Sequence, residues 1–475
     1  MLPIVKNSIL FKPSILIVCI VLLTLVVDFD GLYGQDAYEY LRYSKALTHF
    51  FQSGTHPGDY FWPLYYPIFG ALLTLITKSP IISLQLISIA SLAVSTHFLK
   101  RIIDTLYARP KQSTLYVFLF FVLSPYILKQ GISIMSDLLA LSFLLIAWYY
   151  LMVFNANLKA RHLYIGVSFS LLSIMTRYPA FVILLPLLLQ TGACFFKHKQ
   201  LVQHLFGLVP IALLIMIPHF YIRMENPSGF IQHEWIKTWN ISHLFEHEFT
   251  TIDGTQHNRF LSIFYIFFNI LHPGYMFAGV FFICALKKQL FKNKNILLLM
   301  LSILIYAFFL GGIPFQNKRF LLLSFPLILI VLYPSFNSVL SRFKKQSYLL
   351  ICSTILIQIV LLFYVLQPLL VRNKLEKALV HAMAPYQNNK LYSFDVDIAL
   401  QGRGLKFEYK NMFLIDRIRP ETGDYVLFNP KKFEVQWKDK TPMKNWNRIV
   451  NNHHLEPLLN RTDGWALYRI SEPKK

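Results

Sequence analysis

Ionisable side chains are scarce in this chain, and the ones outside the loops recur at the ends of apolar runs. Asp36, Glu39 and Arg42 stand in GQDAYEYLRYSKAL, just after Asp28 and Asp30. Asp137 stands in GISIMSDLLALSF, with no basic neighbour in sequence. Arg177 stands in SIMTRYPAFVILLP, and Lys318 and Arg319 in GGIPFQNKRFLLLSFP. A carboxylate can take a proton from a hydroxyl nucleophile, and a group of guanidinium and ammonium ions can hold an anionic leaving group such as a phosphate. Each residue also has a plainer role. Asp137 suits a helix cap, Asp36 and Glu39 suit a solvated amphipathic helix, and basic side chains at span ends often snorkel to headgroups. Carboxylates and cations bordering a membrane on one face are nevertheless functional candidates by default.

The elements that must position these groups are membrane spans. The 475 residues are 55% hydrophobic and only 15% charged, which excludes a water-soluble chain. Apolar runs fall at about 14–28, 81–99, 113–129, 138–154, 162–176, 179–196, 201–220, 260–286, 296–312, 320–340 and 347–367, about eleven spans in all. Residues 62–77 (WPLYYPIFGALLTLIT), with two prolines near their start, read as a juxtamembrane helix. With that assignment one set of short loops carries seventeen basic residues against one acid, Asp104. The positive-inside rule then makes that face cytoplasmic, with the N-terminus inside and the C-terminus outside. The first run is a retained helix, because Val26-Val27-Asp28 offers no cleavage site. The net charge of +22 therefore reports orientation in a bilayer, not binding to nucleic acid.

Beyond residue 367 the hydropathy collapses. Strand-like runs at 391–400 (LYSFDVDIAL), 424–429 (DYVLFN) and 463–470 (DGWALYRI) predict a small α/β domain over 368–475 on the outer side, following a membrane domain over 1–367. The loop at 221–259 holds His233, His243, His247 and His257; the spacing of His243 and His247 would suit a metal on a helical face, although the sequence around them is loop-like. Cys19, Cys194, Cys284 and Cys352 lie far apart in apolar stretches and show no metal-like spacing.

The acidic first loop, WPLYYPIFGALL, Ser136-Asp137, TRYP and NKRFLLLSFP occur in an order and spacing that resembles the GT-C superfamily of glycosyltransferases, which use polyprenyl-phosphate sugars. The branch it looks like contains the protein O-mannosyltransferases and the bacterial aminoarabinose transferases that modify lipid A, and the resemblance covers about residues 10–340. It implies an all-α polytopic membrane domain with a C-terminal extracytoplasmic domain, in the cytoplasmic (inner) membrane. It further implies a polyprenyl-phosphate sugar donor, a glycolipid, glycan or protein acceptor, and inversion at the sugar. By this resemblance Asp36 matches the catalytic base and Asp137 the second-loop acid. Arg177 with Tyr178, and Lys318 with Arg319, match positions near the donor phosphate. Ala37 departs from the pattern, since many members have a second acid there. Whether Glu39, Asp30 or nothing replaces that acid stays open, and so does any use of a divalent cation such as Mg or Mn.

Two other classes of function fit many spans. A transporter or flippase of lipid-linked sugars usually places ionisable residues near the midplane and shows duplicated halves. Here the span interiors carry almost no charge and no duplication is visible. A glycan polymerase or ligase also uses lipid-linked sugars, but seldom carries a large outer C-terminal domain.

Overall fold

The computed structural model describes residues 13–107, 110, 112–223, 234–251 and 254–474. Lys6, Lys12, Arg109, Lys111 and His233, used in the sequence reading, lie outside them. The chain divides into two compact units. One comprises Met1–Leu32, Tyr40–Phe245 and Ser262–Leu370; the other comprises Tyr33–Glu39, Glu246–Leu261 and Val371–Lys475.

The first unit is a helical bundle. Among the described residues, seven helices of the chain are long and apolar enough to cross a membrane: Pro80–Leu106, Asp137–Asn157, Ala180–Lys197, Val202–Ile222, Lys294–Gly311, Phe325–Arg342 and Ser347–Tyr386. A bent pair, Ser113–Val122 and Pro125–Ile132, makes an eighth if it counts as one span. The Asp137–Asn157 helix is apolar on every side and largely buried, so it is a core helix of the bundle. It approaches the Ala160–Thr176 helix closely because Gly166 leaves room for Leu151, and because the Ser173 hydroxyl donates to the Ala140 carbonyl (2.8 Å). Val202–Ile222, by contrast, exposes Phe206, Leu213, Leu214 and Ile217, the surface expected against lipid.

Several apolar runs form helices that are shorter or more broken than the runs themselves, and the reasons are local. Residues 260–286, expected as one span, fold as four single turns, Ser262–Tyr265, Phe268–Leu271, Pro273–Met276 and Gly279–Cys284. Pro273 has no N–H to continue a helix, and His272 Nδ1 accepts the Gly274 N–H (3.0 Å) to start a new turn. Gly279 then packs so close to Ile270 that a Cβ would collide with its carbonyl. The expected span at 113–129 bends by 71° after a π turn at Phe118–Val122, where Pro125 opens the next helix. Gln358 Nε2 donates to the Leu119 carbonyl (3.1 Å), satisfying backbone that the break frees inside the bundle. The 162–176 run is a 17-residue helix, Ala160–Thr176. The 14–28 run is helical over Pro13–Val26, as far as the described residues reach. Residues 62–77 yield a 13-residue helix, Tyr65–Thr77, which at about 1.5 Å per residue is too short for a hydrocarbon slab of about 30 Å.

The second unit is built on strands β1 (Glu248–Thr251), β2 (Gly254–His257), β3 (Lys390–Ser393), β4 (Glu408–Asn411), β5 (Tyr425–Phe428), β6 (His453–Asn460) and β7 (Ala466–Pro473). β1 and β2 form a hairpin, and the other five form a mixed sheet in the order β4-β3-β5-β7-β6. The run 391–400 is a strand only to Ser393; Asp397–Gly402 is helical. The Thr441–Asn452 helix covers the sheet, with Trp446 stacked on Phe428 at 5.1 Å. A chain of charges, exposed at Lys432 and buried at Glu376, crosses this unit. Lys432 and Arg372 both hold Asp395 (2.5 and 2.8 Å), Arg372 also holds Glu376 (2.6 Å), Glu376 accepts the Tyr38 hydroxyl, and Arg403 Nε donates to the Tyr38 oxygen (2.8 Å). Full pairing is what makes such burial tolerable.

Asp397 is a less comfortable acid. Burial pushes its carboxyl up to about 6, with nearby Asp395 adding to the shift and an Asn411 hydrogen bond opposing it. The folded state therefore holds this proton when the unfolded chain, at about 3.9, has lost it. Its penalty is absent below about pH 4, grows between about 4 and 6, and is complete above that. Asp397→Asn is expected to stabilise the unit by about 1–3 kcal/mol at pH 8 and by about half as much at pH 5, read as apparent unfolding temperature. An equal gain at both values would reject this account.

Candidate functional site

Asp137 opens the Asp137–Asn157 helix and is only 2% exposed. Burying a lone carboxylate is costly, and two arginines distant in sequence resolve the cost. Arg177 Nη1 donates to Asp137 Oδ1, and Arg319 Nε stands 3.7 Å from Oδ2. Arg177 ends the Ala160–Thr176 helix in extended geometry, in the short turn before Ala180–Lys197. Pro179 just beyond it keeps the turn from continuing as helix. Arg319 is fixed from the other side. Asn317 caps the Lys318–Leu323 turn by accepting the Arg319 N–H (3.0 Å), while the Tyr265, Tyr275 and Tyr306 hydroxyls donate to the carbonyls of Asn317 (2.7 Å), Lys318 (2.6 Å) and Phe320 (2.7 Å). Both guanidiniums lie over the Phe320 ring, at 5.4 and 5.8 Å.

The surroundings add positive charge. Lys318 Nζ stands 5.8 Å from the Tyr126 ring, and Lys129, one turn further along the Pro125–Ile132 helix, is close enough to feel Lys318 and Arg319. Asp137 thus faces two guanidiniums, and the two lysines stand on the Arg319 side of the group, so cations outnumber the one carboxylate. Planar forks already desolvated and held in place are suited to a phosphate or carboxylate. On the adjoining side the Tyr40 and Ser136 hydroxyls share a hydrogen bond (2.7 Å), and Tyr40 packs against Trp62 and Tyr66 at 5.3 and 4.9 Å. Arg223, buried, holds that aromatic loop by donating to the carbonyls of Phe61 and Trp62, and its guanidinium lies 6.0 Å from the Tyr178 ring.

Of the residues singled out in the sequence, Asp137, Arg177, Lys318 and Arg319 thus converge in the first unit. Tyr178 is there too, facing Arg223. Asp30, in the same unit, folds into a turn in which its Oδ1 accepts the Leu32 N–H (3.1 Å). Asp36 and Glu39 are half-buried in the opening turns of the Gly34–Ser53 helix, which group with the second unit, and Ala37 between them is fully buried. Lys129 and Arg223 belong to these surroundings, although neither stands out in the sequence. The available signal was a Lys-Gln pair and a lone Arg directly after apolar runs, which is weak.

The His243 and His247 spacing does not form a metal site. His243 Nδ1 donates to the Gly312 carbonyl (2.8 Å), and among the described residues no three His, Cys, Asp or Glu side chains gather as metal ligands would.

No family model matches the sequence, and no curated protein sequence matches it. Solved structures do match. The crystal structure of ArnT from Cupriavidus metallidurans bound to undecaprenyl phosphate superposes with a TM-score of 0.59 at 11% identity, covering 95% of this chain and 97% of that one. The same protein in the apo state gives 0.57 over the same shares. The chain is accordingly a multi-pass membrane protein with the fold of ArnT and a small C-terminal sheet domain.

Proposed function

We propose that this protein is an integral membrane glycosyltransferase that moves a sugar from a polyprenyl-phosphate donor to an acceptor hydroxyl. The observation that carries this reading is the pairing of Arg177 and Arg319 with the buried Asp137 at the head of a core helix, with Lys318 and Lys129 adding positive charge beside Arg319. ArnT, with the same fold, has been crystallised with undecaprenyl phosphate bound, which supports a lipid phosphate as the anion. In the proposed reaction Asp36 takes the hydroxyl proton and the acceptor oxygen attacks the anomeric carbon with inversion. The bond from that carbon to the phosphate oxygen breaks, and the electron pair leaves with the lipid phosphate, held by Arg177 and Arg319. Asp137 positions the two guanidiniums, and Tyr178 and Arg223 order the aromatic loop beside them. Purified protein in vesicles, given radiolabelled polyprenyl-phosphate sugars, should transfer label to an acceptor. Movement of the labelled lipid between leaflets without transfer would instead support a flippase, a reading favoured by the 71° break in an apolar helix.

The reading also requires the reaction to occur on the extracytoplasmic face, with the N-terminus in the cytoplasm. Leu414 in the C-terminal domain is 77% exposed and serves as a reporter. A Leu414→Cys variant in intact cells should react with a membrane-impermeant maleimide above the background of the native cysteines. Reaction only after the cells are lysed would reverse the orientation.

A further inference from the structure

The C-terminal domain holds a second cationic feature, separate in sequence and unit from the Asp137 cluster. A cavity of about 370 Å³ is lined by Arg417, Ile418, Arg419, Pro420, Arg448, Asn452 and His453. Arg417 and Arg419 flank the buried Ile418 in one loop, Arg448 lies on the Thr441–Asn452 helix, and His453 begins β6. Loop and helix are tied together beneath the cavity by Asn445, which is fully buried. Its Nδ2 donates to the Met412 and Ile415 carbonyls (2.9 and 2.6 Å), and its Oδ1 accepts Arg448 Nη1 (2.8 Å) and the Ile418 N–H (3.4 Å).

The arrangement is built, and it runs against electrostatics. Three guanidiniums line one small cavity, and none of them forms an ion pair among the described residues, whereas the acids around Arg372, Lys390 and Lys432 in the same unit are paired. Asp416 beside Arg417 contributes its backbone carbonyl to Arg448, not its carboxylate. His453 Nδ1 is buried without a hydrogen-bond partner. A cavity near the lower end of the ordinary ligand-pocket range, lined by three arginines, suits a compact polyanion.

We propose that the C-terminal domain binds a phosphate-bearing ligand in this cavity, on Arg417, Arg419 and Arg448. The site stands independently of the transferase reading and of the phosphate proposed at Arg177. Two sources supply this chemistry, a soluble phosphomonoester and a phospholipid headgroup, and separate arms tell them apart. Full-length protein in nanodiscs of neutral phosphatidylcholine is titrated with glucose 6-phosphate by calorimetry, and the lipid arm compares phosphatidic acid enrichment around the protein by mass spectrometry. The paired change Arg417→Gln with Arg419→Gln alters exposed side chains only, and Arg448→Gln is the second variant. Each should weaken binding of at least one probe by about tenfold or more, as expected for lost charge-assisted hydrogen bonds. Equal binding of both probes by wild type and by both cavity variants, or no binding of either probe by wild type, overturns the proposal.

Discussion

Replacing Asp36 with Asn should abolish most transfer while leaving the protein folded and able to hold its lipid donor. A positioned general base typically contributes about 10²–10⁴-fold, because the acceptor hydroxyl must lose its proton as it attacks. Asn keeps the shape of the side chain and its place in the first turn of the Gly34–Ser53 helix, so the fold has little to lose. The measurement is turnover in reconstituted vesicles beside donor affinity and apparent unfolding temperature. A fall in turnover with the other two unchanged is the signature of a base. Transfer within severalfold of wild type would remove Asp36 from the mechanism, and Glu39→Gln would then be the next substitution to make. A parallel loss of stability would mean that the change acted on the fold.

The contrast between Asp36 and Asp137 shows what a sequence of this kind makes legible. Apolar runs announce the helices, because a bilayer demands them, and most long runs do become single helices. Hydropathy cannot see that Pro273 and Gly279 break one run into turns, or that a π turn and Pro125 bend another, since the broken pieces are as apolar as intact ones. Nor does it show how far the helix of the last span runs. The Ser347–Met383 helix continues well past 367, through the charged stretch where Arg372 and Glu376 pair one turn apart, Arg372 also holds Asp395 and Glu376 accepts the Tyr38 hydroxyl. Asp137 looked unpaired because its partners lie 40 and 182 positions away, separations no local pattern records. That it lay on a face with Arg177 and Arg319 was inferred from loop charge. That all three touch was visible only in three dimensions.

Those contacts lead to the second large effect, in which stability and donor binding should move in opposite directions. Asp137 is buried, and the arginines beside it are 12% and 19% exposed, so the charges are weakly screened. Removing one member of such a buried set typically costs about 3–5 kcal/mol, because the remaining charges lose their counterion. Asp137→Asn should therefore lower the unfolding temperature clearly. Yet it also raises the charge of the cluster by one, so a phosphate that binds there should bind as well as before or more tightly, and should restore part of the lost stability when present. Arg177→Ala should do the reverse for binding. It removes a forked donor, loosening the lipid phosphate by about 10- to 100-fold, and leaves Asp137 with Arg319 as its remaining partner. The two variants are read by donor titration and thermal unfolding with and without undecaprenyl phosphate. If Asp137→Asn instead kept its stability and lost only turnover, Asp137 would be acting on the reacting groups, and its pairing with the arginines would be incidental. If neither variant altered affinity for the lipid phosphate, the cationic cluster would be structural and the donor would have to bind elsewhere.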